Sequence, residues 1–224
     1  QCAGAGLGRV GALFFFLLGA WCDVREAKSV LDVGTGCGLI ALMIAQRNAD
    51  CNIDCIDIDE GAIEEARINA DNSLWSDRIH PFMSDFKQFI CDKKYDLIVS
   101  NPPFFNNGVL APDKSRQNAR HTVELSFEQL ILKSITLLSD TGKLCLISPT
   151  DLEEEITKSC TEVGAYVHQK VVIYTKPGKE PKRCLWEISK HNSDKRCSEL
   201  FVQNSDGQYS EQYIGLCKDF YMNM

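Results

Sequence analysis

Ser29-Val30-Leu31-Asp32-Val33-Gly34-Thr35-Gly36-Cys37-Gly38 is the stretch that decides the fold. Its first five residues form a short apolar run, which predicts a buried parallel strand. The run passes directly into glycines at alternate positions, and Leu39 to Gln46 then has helical character. Strand, glycine-rich turn and helix make the first unit of a doubly wound α/β sheet. The glycines let the backbone pass close to a ligand with no Cβ in the way. A lone GxGxG is a weak signal; its place between strand and helix strengthens it.

Going outward, Ile53-Asp54-Cys55-Ile56-Asp57 predicts the next strand, and it ends in acid. Asp57 lies about twenty residues after the glycine loop, where a carboxylate accepts hydrogen bonds from ribose hydroxyls. Asp59 and Glu60 are acids at a helix start, and Ala62 to Asn72 continues that helix. Ile79 to Met83 is a third, shorter strand, ended by Ser84-Asp85-Phe86. Asp85 can accept from an exocyclic amine and Phe86 can pack beside a ring. Equally, Ser84 or Asp85 can cap a helix over Phe86 to Cys91.

Tyr95 to Ser100 is the fourth strand, and it stops at Asn101-Pro102-Pro103-Phe104. The prolines lack N–H donors and fix φ, so the strand cannot continue. The rigid turn offers one side-chain amide, backbone carbonyls and an aromatic face. Such a turn suits a flat, NH2-bearing group. The following residues, 105–122, have no clear periodicity and carry Lys114, Arg116, Arg120 and His121. An irregular stretch of this length is a lid, a substrate loop or a mobile solvated loop; its bases could meet phosphates.

The remaining chain alternates again. Ser126 or Glu124 opens a helix through Leu138, Thr141-Gly142 turns, and Lys143 to Ser148 is the fifth strand. Asp151 to Cys160 is a helix capped by Thr150 or Asp151. Tyr166 to Tyr174 and Cys184 to Ser189 are strands joined by a short loop, hence antiparallel. That loop holds Lys176, Lys179, Lys182 and Arg183 against the single acid Glu180. It is a solvated hairpin tip or an RNA contact. Glu199 to Gln203 predicts a last strand, and Ser210 to Phe220 a capped terminal helix.

The chain has 224 residues, 44% hydrophobic and 25% charged, enough for one sizeable core. We expect one domain over residues 1–224: an N-terminal helical segment at 1–28, a core at 29–190, and a C-terminal strand and helix at 191–224. The formal net charge of −7 excludes a wholly basic nucleic-acid-binding surface, so any such site must be a local patch. Eleven cysteines without a CxxC pair predict reduced core thiols in a cytoplasmic protein, with no metal site. Val10 to Trp21 is uncharged and mimics a signal-peptide core, but it is too short to span a bilayer. A buried helix is expected there, with no membrane association. Position 1 is not Met, so residues 1–22 are expected to begin partway through the natural chain.

The glycine loop, Asp57, Asp85 and the 101–104 turn each follow a successive strand. In an open α/β sheet that carboxyl edge binds ligands. GTGCG lacks the last glycine of the dinucleotide fingerprint, so S-adenosylmethionine fits better than NAD. The sequence here resembles the class I methyltransferases, on Leu31 to Gly38, Asp57, Asp85-Phe86 and Asn101 to Phe104. It looks like their amino-methyltransferase branch, whose signature is (Asp/Asn/Ser)-Pro-Pro-(Tyr/Phe/Trp). The resemblance implies a mostly parallel seven-stranded sheet with helices on both faces and an antiparallel last strand. It implies cofactor contacts at Asp32, Gly34, Thr35, Gly36, Gly38, Asp57, Ile58, Asp85, Phe86 and Asn101, and a catalytic turn of Asn101, Pro102, Pro103 and Phe104. S-adenosylhomocysteine would be the product.

A narrower resemblance is to bacterial tRNA adenine-N6 methyltransferases, which act on the adenosine 3′ of the anticodon in a valine tRNA. It rests on Leu17-Leu18-Gly19-Ala20-Trp21, Asn101 to Phe105, Ala119-Arg120-His121, Leu125-Ser126, Lys176-Pro177-Gly178, Pro181-Lys182-Arg183 and Tyr209 to Tyr221. It implies a tRNA partner; the basic residues Arg116, Arg120, His121, Lys176, Lys179, Lys182 and Arg183 are the candidate RNA contacts, and a monomer is expected. That family has a Lys-Val-Gly-Thr-Asp-Gly stretch where this chain reads Gly8 to Phe16, so no contact is carried onto residues 1–16. The turn alone also fits a glutamine N5-methyltransferase acting on a translation factor, or an rRNA guanine N2-methyltransferase.

Overall fold

The computed structural model describes residues 16–102 and 125–221. Eight strands form one sheet: β1 (Ser29–Val33), β2 (Asn52–Asp57), β3 (Ile79–Met83), β4 (Tyr95–Ser100), β5 (Leu138–Pro149), β6 (Tyr166–Tyr174), β7 (Arg183–Ser189) and β8 (Arg196–Phe201). Their order is β3-β2-β1-β4-β5-β7-β6-β8. Only β7 runs against its neighbours β5 and β6; every other pairing is parallel. The expected seven-stranded arrangement with a reversed seventh strand is present. An eighth strand, β8, extends it beyond β6. Pro81 stands in β3, where the edge position leaves one side of the strand free of ladder bonds.

The helices are α1 (Leu39–Arg47), α2 (Glu60–Asp71), α3 (Phe127–Leu137), α4 (Glu153–Glu162) and α5 (Glu211–Cys217). They cover both faces. Ile40 and Ile44 of α1 and Tyr213 of α5 pack with Val30, Leu97, Ile147 and Leu185 on one side. Leu130 and Ile131 of α3 and Ile156 of α4 pack with Leu31, Ile98, Leu146 and Trp186 on the other. The sheet residues alternate between the two cores, as the period of two requires. Trp186 is fully buried and its indole N–H donates to Ser148 Oγ at 2.9 Å, so the largest core side chain leaves no donor unpaired.

Local signals explain the helix starts. Asp59 Oδ1 accepts from Gly61 N and Ala62 N, and Ser126 forms a full capping box with Gln129. Ser210 caps α5 through Tyr213 N. Residues 16–21 are helical, with Leu17 and Leu18 fully buried; the rest of the expected N-terminal helix lies outside the described residues. Arg47 Nη1 donates to the carbonyls of Gly19 and Cys22, satisfying acceptors at that helix's end.

Three expectations change. Thr141-Gly142 is not a free turn: β5 begins at Leu138, opposite Tyr95, and residues 139–142 bulge before the ladder resumes at Leu97↔Lys143. A Cβ on Gly142 would lie 2.6 Å from Tyr95 O, so only glycine fits this bulge without movement. Phe86 to Cys91 is not helical; residues 86–88 form a turn. The helix after β5 is preceded by a 3-10 turn over Thr150–Leu152 and has no side-chain cap.

Ten cysteines lie among the described residues, and none of the ten is in a disulfide. Burial pushes the Cys22 and Cys160 thiols up to about 12, which keeps them protonated and inert. Among the described residues no cluster of three or more His, Cys, Asp or Glu is placed to hold a metal ion. No described helix is long and apolar enough to cross a membrane.

Candidate active site

The parallel strands bring the chain out along one edge. Val33 at the end of β1 pairs with Ser100 at the end of β4, so Gly34 and Asn101 leave the sheet side by side. Their strands are about 4.8 Å apart. Ser100 Oγ donates to Val33 O at 2.9 Å and ties the two exits together. On the other side of β1, the loop is sewn to β2. Gly34 N and Thr35 N both donate to Ile56 O, and Gly36 N donates to Asp57 Oδ2 at 3.0 Å. Gly38 N turns back to Thr35 O. These amides are spent within the protein and are not presented as a phosphate nest. The loop therefore suits a ligand held by its ribose, not by a pyrophosphate.

Gly34 and Gly36 have φ of 69° and 55°, left-handed values that favour glycine. A Cβ at either would meet nothing within 4 Å, so the loop's outer side is open. Gly38 has a different role: a Cβ there would come within 3.3 Å of Ala66 Cβ, so its absence lets α2 pack close to the start of α1.

Asp57 Oδ1 accepts from Asp59 N at 3.0 Å, so each carboxylate oxygen holds one backbone N–H. Each retains acceptor capacity for a hydroxyl. Two apolar side chains flank it. Ile58 is 52% exposed, and Met83, which pairs with Asp57 across the β2–β3 ladder, is 62% exposed. Met83 was not singled out by sequence. Its signal is its position as the last residue of the strand neighbouring an acid-terminated one. An open pair of apolar side chains beside an acid with free acceptor capacity offers contacts to a flat heterocycle.

Asp32 lies beneath the loop and is fully buried. Its Oδ2 accepts from Thr35 Oγ1 at 2.6 Å, while Oδ1 has no hydrogen-bond partner. Burial pushes its carboxyl up to about 7; the Thr35 hydroxyl opposes this, the Asp57 charge adds to it, and the Ala41 N–H in the first turn of α1 opposes it. An orphaned buried carboxylate oxygen under a loop with an open outer side fits a cationic group of a ligand.

The other expected contacts divide. Asp85 is half-buried, two residues beyond β3; its Oδ1 accepts from Lys87 N at 2.9 Å and its Oδ2 from Gln88 Nε2 at 3.4 Å, so it caps the 86–88 turn. Phe86 is 4% exposed and packs in the core with Val33, Ile56 and Ile98. Its ring is a core side chain. Asn101 is 9% exposed, and among the described residues its side chain has no hydrogen-bond partner. Pro102 beside it is buried. Pro103, Phe104, Arg116, Arg120 and His121 lie outside the described residues.

The β6–β7 loop reaches the same edge. Arg183 pairs with Pro149 at the end of β5, and Thr150 Oγ1 donates to Pro181 O at 3.3 Å. Lys179 N bonds to Lys176 O across Pro177-Gly178, and Gly178 has φ 75°, the turn that Pro-Gly favours. The turn holds Lys176 and Lys179 at its two ends. Lys179 and Lys182 are exposed, and Lys176 and Arg183 are half-exposed. The loop is about 10 Å, two strand spacings, from the strand carrying Asn101.

Residues 16–163 match the family model described as the methyltransferase small domain. A tRNA1(Val) (adenine(37)-N6)-methyltransferase from Phocaeicola vulgatus is 43% identical over 93% of this chain and 88% of its own length. One of the same name from Trichodesmium erythraeum is 40% identical over 92% and 88%. Among solved structures, a predicted O-methyltransferase from Agrobacterium tumefaciens is similar with a TM-score of 0.70 at 20% identity, covering 91% of this chain and 95% of that one. A ribosomal protein L11 methylase from Lactobacillus delbrueckii gives 0.53 at 19%, covering 83% and 81%; at these identities the likeness is one of fold. With its glycine loop, acid-terminated second strand and Asn-Pro exit on one sheet edge, the chain belongs to the methyltransferase small-domain family of class I S-adenosylmethionine-dependent methyltransferases.

Proposed function

We propose that this enzyme transfers a methyl group from S-adenosylmethionine to the exocyclic N6 amine of an adenosine in tRNA. By the names of its relatives, the target is position 37 of a valine tRNA. The observation that carries this is the adjacency of Gly34 and Asn101 at the paired ends of β1 and β4. It supports reading the two exits as a cofactor loop and an amine-binding turn.

S-adenosylmethionine supplies a methyl group on a sulfonium, which is already a good leaving group. Asp57 would accept from the ribose hydroxyls, Ile58 and Met83 would flank the flat base, and the buried Asp32 carboxyl beneath the loop would complement the cationic end. Asn101 and Pro102 handle the nucleophile. An adenine N6 lone pair is delocalised into the ring, so the amine attacks poorly. The Asn101 side-chain oxygen and the Pro102 carbonyl accept its two hydrogens and favour a tetrahedral nitrogen with its lone pair directed outward. Transfer then depends mainly on positioning. No strong base is needed before attack, because the proton can leave afterwards. Phe104 stacks on the target base, a contact worth about 1–3 kcal/mol. The base must be unstacked to reach this turn, which costs less in an anticodon loop than in a duplex.

Lys176, Lys179, Lys182 and Arg183 meet the RNA backbone from the β6–β7 loop, with Arg116, Arg120 and His121 as further contacts. Residues 1–224 act as one methyltransferase unit, a monomer working in the cytoplasm where tRNA is modified. The relatives' names favour neither the glutamine N5 nor the guanine N2 alternative. Tritiated S-adenosylmethionine offered with bulk tRNA and with a release factor tests the proposal. Label in the tRNA is expected; label in the protein alone would refute it.

A further inference from the structure

We propose that Tyr174, Phe201 and Glu199 form a second nucleobase site, which holds an unstacked base of the substrate RNA a few nucleotides from the methylated adenosine. This rests on the tRNA reading given above. Tyr174 and Phe201 are register partners at the carboxyl ends of the parallel strands β6 and β8. Their rings stack with centroids 5.0 Å apart and planes within 18°. Together with Glu199 and the loop residues Pro177, Lys179 and Pro181, they line a groove of about 430 Å³, within the range of small-ligand sites.

Register places this groove on the edge that carries the active site. Ser100 is level with Leu146, Leu146 with Trp186, and Trp186 with Lys170. Tyr174 stands four residues further along the same direction, beyond the level of Asn101. The two strands are three spacings apart, about 15 Å. An RNA strand with one base at the Asn101 turn passes the lysines of the 176–182 segment on its way to the stacked rings.

The chemistry of the groove selects a base. Two parallel rings extend naturally to a third flat ring, and such stacking tolerates any base. Glu199 Oε1 accepts from the Tyr174 hydroxyl at 3.3 Å, which orients the carboxylate; among the described residues Oε2 has no partner. An acceptor-only group at this point pairs with an exocyclic amine and disfavours a base edge that presents only carbonyls. Glu180 also lines the groove. Two carboxylates against the single lysine Lys179 leave the groove lining net negative and disfavour a phosphate there, while Lys176 and Lys182 attract it outside. Base inward and backbone outward is the orientation this charge pattern supports.

The test measures kcat and KM for tRNA with the full chain and with two variants, Tyr174→Leu/Phe201→Leu and Glu199→Ala. Leucine keeps apolar packing but removes the π face, and Glu199 is exposed, so its substitution leaves the fold intact. The expected result is a KM for tRNA raised about tenfold by the double substitution and severalfold by Glu199→Ala. Turnover at saturating tRNA and affinity for S-adenosylhomocysteine should stay within about twofold. An unchanged KM in both variants, with the wild type active on tRNA, overturns this site and leaves the function standing. If the double variant fails to bind S-adenosylhomocysteine, the Glu199→Ala result decides. A wild type that methylates no tRNA overturns the function and this site with it.

Discussion

Replacing Asp32 by Asn makes the strongest demand on the physical picture of the cofactor loop. Asp32 is fully buried, and its carboxyl is pushed up to about 7 from an ordinary value of 3.8. Between those values the native state holds a proton that the unfolded chain has released. Stability therefore falls as pH rises through this window and levels off above pH 7. A shift of about three units corresponds to about 4 kcal/mol in total, of which about 2.5 kcal/mol is lost between pH 5 and pH 8. Asparagine is nearly isosteric, still accepts from Thr35 Oγ1, and does not titrate. Urea unfolding of both proteins at intervals from pH 5 to pH 8 isolates the contribution, because all other titrating groups are shared. The wild-type midpoint should fall relative to the variant by about 1 M over this range. Saturating S-adenosylhomocysteine should flatten the wild-type slope, since a cation against Oδ1 favours the ionised carboxylate. Parallel pH profiles for the two proteins would refute the assignment of Asp32 as a neutral buried acid in the free enzyme.

Asp57→Ala removes two charged acceptors and should weaken S-adenosylhomocysteine binding by at least about tenfold in calorimetry; unchanged affinity would remove Asp57 from the ribose site. Gly142→Ala places a Cβ 2.6 Å from Tyr95 O and should cost about 1–3 kcal/mol, read as a lower Tm with catalytic turnover preserved. Joint replacement of Lys176, Lys179 and Lys182 by Ala should raise KM for tRNA and reduce the slope of log affinity against log salt by about 2. A slope equal to wild type would place the RNA elsewhere.

Much of the frame was legible because the strands are apolar runs with hard stops. Asp32-Val33-Gly34, Asp57-Ile58 and Ser100-Asn101-Pro102 each end a strand where glycine, an acid or proline ends it, and the observed β1, β3, β4 and β6 have the expected bounds. What failed depended on distant partners. The Gly142 bulge exists because Leu138 pairs with Tyr95, 43 residues back, which local turn chemistry does not reveal. The expected helix over Phe86 to Cys91 is absent, and the burial of Phe86 in a core with Ile56, Ile98 and α3 is a matter of packing and not of its neighbours in sequence. The extent of the sheet was missed because β8 was expected as a strand but its parallel pairing with β6 has no local signature. At the site, the glycines and Asp57 are candidates read from sequence, but that the loop's N–H groups turn inward onto Ile56 O and Asp57 has no local signal in the chain.

In the proposed mechanism Asn101 directs methyl transfer to adenosine N6 in tRNA. Nucleoside mass spectrometry of tRNA from a strain lacking this enzyme tests it most directly, with complementation by the wild type and by Asn101→Ala. N6-methyladenosine should disappear from the tRNA of the deletion strain and return with the wild type. With Asn101→Ala it should not return, because turnover falls at least about a hundredfold while S-adenosylhomocysteine affinity changes little. Undiminished N6-methyladenosine in the deletion strain, or full restoration by Asn101→Ala, would contradict it.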